Sequence, residues 1–102
     1  MNKIYVEQKH LKIILDILKK YPYTFYAYGS RTKGNVKPTS DLDICFVEPI
    51  HFDVQSHIEE DFEESDLPFR VEVCDYYLMQ REFQELIKKD FVLLQKGKNI
   101  CQ

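Results

Sequence analysis

The apolar positions of this chain change their period along its length, and the changes mark its elements. From Glu7 to Lys20, Leu11, Ile14, Leu15 and Leu18 recur at helical spacing until Pro22, so a first helix with one buried stripe is expected. Tyr23 to Tyr28 is dense in aromatic residues and reads as a strand ending at Gly29. A turn or helix start then falls at Gly29-Ser30, and Gly34, Asn35 and Pro38 mark a loop. From Asp41 to Val47 the chain alternates as a strand, with Leu42, Ile44 and Phe46 on one face and Asp41, Asp43 and Cys45 on the other. His51 to Glu64, flanked by Pro49 and Pro68, predicts a second helix through Phe52, Ile58 and Phe62. Phe69 to Asp75 predicts a third strand and Gln80 to Lys89 a third helix, while Phe91 to Leu94 is too short for periodicity to assign. This order predicts an α/β (α+β) fold: a small mixed sheet with helices packed on one face.

Composition narrows the class. A chain of 102 residues suits one domain, residues 1–102, and 44% hydrophobic with 30% charged residues is ordinary for a globular protein. No apolar run approaches the roughly 20 residues that span a bilayer, and Met1-Asn2-Lys3-Ile4-Tyr5 does not open a signal peptide, so a soluble cytoplasmic protein is expected. Cys45, Cys74 and Cys101 form no C-x-x-C pair and read as reduced thiols. A formal charge of -3 argues against generic nucleic-acid binding. Its distribution says more: Arg31, Lys33 and Lys37 lie close together, while Glu59, Glu60, Asp61, Glu63, Glu64 and Asp66 crowd a later segment.

The chemistry concentrates in Gly29-Ser30, followed after ten residues by Asp41-Leu42-Asp43. A strand ending in glycine lets a phosphate approach the backbone, and a helix beginning there aims unpaired N–H groups at the anion. Ser30 adds a hydroxyl. The plainer reading makes Ser30 an N-cap, but the turn then carries Arg31 and Lys33, where a structural cap prefers acids. Asp41 and Asp43 stand two apart on a strand, so both carboxylates project to one side. At about 6 Å and an effective dielectric near 20 they repel by roughly 3 kcal/mol, which calls for a cation between them. Hard oxygen donors shared with substrate phosphates suit Mg²⁺. A solvated strand end is the ordinary reading of a lone D-x-D; chance gives the combined pattern about once per thousand chains this size.

These residues carry a family resemblance. Gly29-Ser30-Arg31-Thr32-Lys33-Gly34, then Ser40-Asp41-Leu42-Asp43-Ile44, resembles the G-S-x10-D-x-D signature of the polymerase-beta-like nucleotidyltransferases, in particular the minimal nucleotidyltransferases. Leu67 to Val73 occupies the place of that family's third-carboxylate strand, so the resemblance covers nearly the whole chain. It implies a nucleotidyltransferase fold, nucleotide contacts at Gly29, Ser30 and Arg31, and two Mg²⁺ ions held by Asp41, Asp43 and a third carboxylate. Glu72 stands where the family usually has that third aspartate. Parity favours it over Asp75, because Val71 and Val73 must face the helices. The resemblance further implies transfer of AMP from ATP to an acceptor hydroxyl. Members of this kind pair with a small helical HEPN-type protein as antitoxin and toxin, so a tyrosine of that partner is the acceptor it suggests.

The competing readings are a weak or inactive homologue that neutralises a partner by binding alone, and a small-molecule transferase, for whose extra substrate domain this chain has no room. His10, His51 and His57 lack ligand spacing and read as surface residues, and Tyr23, Tyr26 and Tyr28 read as core.

Overall fold

The computed structural model describes residues 3–97, so Cys101 lies outside the described residues. Helices α1 (Gln8–Leu18), α2 (Phe52–Glu63) and α3 (Arg81–Lys88) alternate with strands β1 (Phe25–Tyr28), β2 (Leu42–Phe46), β3 (Val71–Asp75) and β4 (Val92–Gln95). The sheet order is β3-β2-β1-β4. β1 runs antiparallel to both β2 and β4, whereas β2 and β3 are parallel, joined by α2 as a crossover. The mixed α/β fold is the one expected from the order of elements.

One face of the sheet presents Phe25 and Ala27, Leu42, Ile44 and Phe46, and Val71 and Val73 to the buried stripes of α1 and α2. Ile14, Ile17 and Leu18 of α1 and Ile58 and Phe62 of α2 complete this core. The α1 stripe is rotated from its expected position: Leu11 and Leu15 fall on a half-exposed flank edged by Lys9, Lys12 and Lys19. Ile14 and Leu18 are buried as expected, and Ile13 and Ile17, spaced like Leu11 and Leu15, take the core side in their place, so only docking against the sheet decides between the two pairs. Tyr21 and Lys20, just past α1, both reach Asp61 of α2 and tie the two helices together.

The second face, carrying Asp43, is partly covered. Tyr26, Tyr28, Cys45 and Val47 pack with Tyr76, Met79, Ile87 and Phe91, which the α3 region lays over β1 and β2. Cys45, expected on an open side, is therefore fully buried. The unassigned stretch after α3 becomes edge strand β4, in which Val92 and Leu94 turn to the main core and Leu93 is exposed. Among the histidines, His51 caps α2, its Nδ1 accepting from the Asp53 N–H at 3.2 Å, and His10 packs edge-on to Phe69. The core reading of Tyr23, Tyr26 and Tyr28 holds, with Tyr23 on the main core and the other two on the second face.

Candidate active site

β1 delivers the chain to Gly29 in a conformation only glycine adopts readily, φ 85° and ψ -157°. The close approach has a second cause: a Cβ at Gly29 would stand 2.6 Å from Asp43 Oδ2. The strand end and the carboxylate thus meet at bare backbone. The turn or helix start expected at Gly29-Ser30 is a single 3-10 turn, Ser30–Thr32, closed by Thr32 N–H to Gly29 O (3.0 Å), Lys33 N–H to Ser30 O (3.0 Å) and Thr32 Oγ1–H to Gly29 O (2.7 Å). So short a turn carries little macrodipole; what it offers an anion is the N–H groups of Ser30 and Arg31, which its own bonds leave unpaired. The cap position is Gly29, and Ser30 is exposed with a side chain that caps nothing.

Across the sheet, register builds a row. Tyr28 of β1 is paired with Asp43 of β2, and Asp43 with Glu72 of β3. All three lie on the second face, as the alternation of Leu42, Ile44, Val71 and Val73 required. Burial, then the charges of Glu72 and Asp41, push the Asp43 carboxyl up to about 6. Asp41, one residue before β2, is exposed. The next row holds Tyr26, Cys45 and Cys74. Burial, reinforced by the neighbouring Cys74, raises the Tyr28 hydroxyl, and burial also raises Cys74. Burial also pushes Cys45 up to about 12, so both thiols stay protonated and are not nucleophiles.

Among the described residues, no three His, Cys, Asp or Glu side chains converge as a metal cage. The donor set still fits Mg²⁺. It consists of hard carboxylate oxygens, with Asp43 lifted by burial and then by the charges of Glu72 and Asp41, and Mg²⁺ takes few protein ligands when phosphates and water supply the rest.

Arg31 departs from the expected nucleotide contact. It is 4% exposed, and its guanidinium faces the interior of the loop, stacked 4.0 Å from the Phe69 ring. Its donors go to four carbonyls, those of Tyr5, Lys37, Pro38 and Ser40. Lys33 is also engaged, 3.3 Å from Asp90 at the end of α3. The basic cluster legible in the sequence is therefore dispersed: one cation buried, one paired, and Lys37 exposed. Sequence reasoning missed Tyr28 as the third member of the carboxylate row, although strand parity places it there.

A family model described as a nucleotidyltransferase domain matches residues 7–97. The chain belongs to that family. Nucleotidyl transfer is its class of activity, as the Gly-Ser turn beside a carboxylate row suggests on its own. The chain is also 38% identical, over 95 residues, to the "Probable protein adenylyltransferase MntA" of Haemophilus influenzae, covering 89% of this chain and 83% of that protein. A crystal structure described as that of "a putative nucleotidyltransferase" from Sulfolobus solfataricus is 25% identical, covers 89% of this chain and 83% of that one, and gives a TM-score of 0.49. Among the described residues no helix is long and apolar enough to cross a membrane.

Proposed function

We propose that this nucleotidyltransferase moves AMP from ATP to a protein hydroxyl, with a tyrosine of a small helical HEPN-type partner as acceptor, in a toxin-antitoxin pair of the cytoplasm. The observation that carries the reading is the Asp43 carboxyl, lifted by half-burial and by the charges of Glu72 and Asp41, and so close to Gly29 that a Cβ there would meet it at 2.6 Å. A relative named as a protein adenylyltransferase supports AMP as the group and protein as the acceptor.

In this reaction the acceptor oxygen attacks the α-phosphorus, the bond to the bridging oxygen breaks, and pyrophosphate leaves. Gly29 admits the triphosphate to the turn, where the Ser30 N–H and hydroxyl donate to its oxygens. Asp41 and Asp43 would hold Mg²⁺, with Glu72 as third carboxylate; when bound, the ions lower the pKa of the attacking hydroxyl and neutralise the leaving pyrophosphate. Glu72 takes the acceptor proton, its extra methylene giving it reach. The half-buried setting of the row keeps bulk water from competing with the acceptor.

Incubation with labelled ATP, Mg²⁺ and the neighbouring-gene protein should add the mass of one AMP to that protein. Label on neither chain overturns the reading. ATP should raise the melting temperature with Mg²⁺ and much less with EDTA, by about 2.7 kcal/mol of stabilisation at a hundredfold excess over Kd. Glu72→Gln should lower transfer about 100-fold or more while Mg-ATP affinity stays within about threefold, and Glu72→Asp should keep most of the activity. Full activity in Glu72→Gln would remove Glu72 from the chemistry.

A second reading, partner binding without transfer, draws on a run of exposed apolar side chains, Tyr77, Leu78, Phe83 and Leu86, whose member Phe83 meets Tyr28 edge-on at 6.2 Å. Tight partner binding with no label transferred would select it.

A further inference from the structure

We propose that Arg31 is a positioning residue: a buried guanidinium that sets the spacing between the Gly29-Ser30 turn and the strands bearing Asp41, Asp43 and Glu72, without touching the nucleotide. This rests on the transferase reading above and adds to it a residue that acts through others.

The side chain joins three segments at one point. Nη1 donates to Tyr5 O at 2.8 Å, and the Tyr5 N–H returns a bond to Arg31 O at 2.7 Å, so the segment before α1 is strapped to the turn. Nε donates to Ser40 O at 2.9 Å and Nη2 to Pro38 O at 2.9 Å and Lys37 O at 3.3 Å. These carbonyls belong to the loop that leads directly into Asp41. The guanidinium face lies on Phe69, at the entry to β3, and the neighbouring Arg70 O accepts from Leu42 N–H at 2.9 Å. One planar group thus spans the phosphate turn, the entry to β2 and the entry to β3, which between them carry every proposed site residue.

The chemistry of the contacts separates this role from ordinary structural pairing. Among the described residues no carboxylate lies within ion-pair distance of Arg31. A buried cation surrounded by carbonyl dipoles and one aromatic face keeps its charge un-neutralised. Arg31 therefore holds the loop by its fork geometry. Lysine keeps the charge but offers a compact head that cannot bridge four carbonyls or stack on a ring.

The test compares wild type with Arg31→Lys, and with Phe69→Leu, which removes the stacking face while keeping an apolar side chain in the core. Mg-ATP affinity is measured by calorimetry, transfer to the labelled acceptor by its kcat and KM for ATP, and amide hydrogen exchange across residues 37–42. In Arg31→Lys we expect kcat per folded molecule to fall about 100-fold, because a displacement near 1 Å costs that much. Mg-ATP Kd and KM should stay within about threefold, and exchange at residues 37–42 should quicken; Phe69→Leu should change the same quantities in the same direction, by less. A KM raised more than tenfold with kcat unchanged would mean that Arg31 contacts the triphosphate, and would overturn the proposal. So would a lowered melting temperature with kcat and KM intact, the mark of a merely structural group. If wild type transfers nothing to any acceptor, the transferase reading has failed, and unchanged exchange in Arg31→Lys would then sink the coupling as well.

Discussion

Asp43→Asn should abolish transfer and, in the same molecule, raise the stability of the metal-free protein above neutral pH. Losing the carboxylate proposed to hold Mg²⁺ should cost about 1,000-fold or more in turnover, the equivalent of roughly 4 kcal/mol of transition-state stabilisation. The stability gain follows from linkage. The Asp43 carboxyl titrates near 6 in the folded protein against 3.8 for an unperturbed one, because burial and the charges of Glu72 and Asp41 oppose ionisation. Folding therefore favours the protonated form. The penalty is absent below pH 4, grows as pH rises toward 6, and is fully present above it. Discounted for partial exposure, it is on the order of 1–2 kcal/mol. The melting temperatures of wild type and Asp43→Asn should therefore coincide at pH 4 and separate above pH 6, with the variant higher. Mg-ATP should reverse the order by stabilising the wild type alone. A variant less stable than wild type at pH 8 without metal would show that Asp43 is held by contacts rather than strained by repulsion.

Gly29→Ala should produce the second largest loss, through backbone rather than charge. At φ 85° and ψ -157° an L side chain is strained by about 1–3 kcal/mol. The new methyl would also sit 2.6 Å from Asp43 Oδ2, so the carboxylate must move or the turn must open. Either response spoils the meeting of phosphate and carboxylate, and transfer should fall about 100-fold or more. Gly34→Ala is the natural control. Gly34 also has a positive φ, 81°, and its Cβ would press on the Tyr5 ring at 3.0 Å, away from the carboxylates. It should lose stability to a similar degree while keeping far more transfer per folded molecule. Equal losses of transfer in the two variants would mean that Gly29 matters only for folding.

The carboxylate row was legible because it depends on the shortest-range regularity a chain possesses. Alternation from Leu42 to Phe46 fixed which way Asp43 points, and the same parity applied to Val71 and Val73 put Glu72 on its side; the parallel crossover through α2 then set the two opposite each other. The surroundings of Arg31 were not legible, for the converse reason. A cation after Gly-Ser looks available to an anion, and nothing local reveals that carbonyls from residues 5, 37, 38 and 40 close around it. Cys45 is similar. Its alternation was read correctly, but its burial depends on Tyr76, Ile87 and Phe91, which arrive from far along the chain. β4 escaped because four residues are too few to establish a period. The rotated stripe of α1 escaped because Leu11 with Leu15 and Ile13 with Ile17 satisfy the same spacing.

The pairing of Asp43 with Glu72 has a consequence for how such a chain can change over time. The residues that pack the core and the proposed site residues are interleaved on the same two strands, so a one-residue slip of β3 against β2 would turn Glu72 into the helices and Val71 and Val73 out of them. Stability and chemistry would fail together, and neither could be repaired alone. The segments outside the strands are under no such joint constraint. The stretch between α2 and β3, from Glu64 to Arg70, can vary in length wherever it leaves Phe69 and the strand entry in place. Drift, and any deliberate regrafting of the site, should therefore be tolerated at the connections and refused inside β2 and β3.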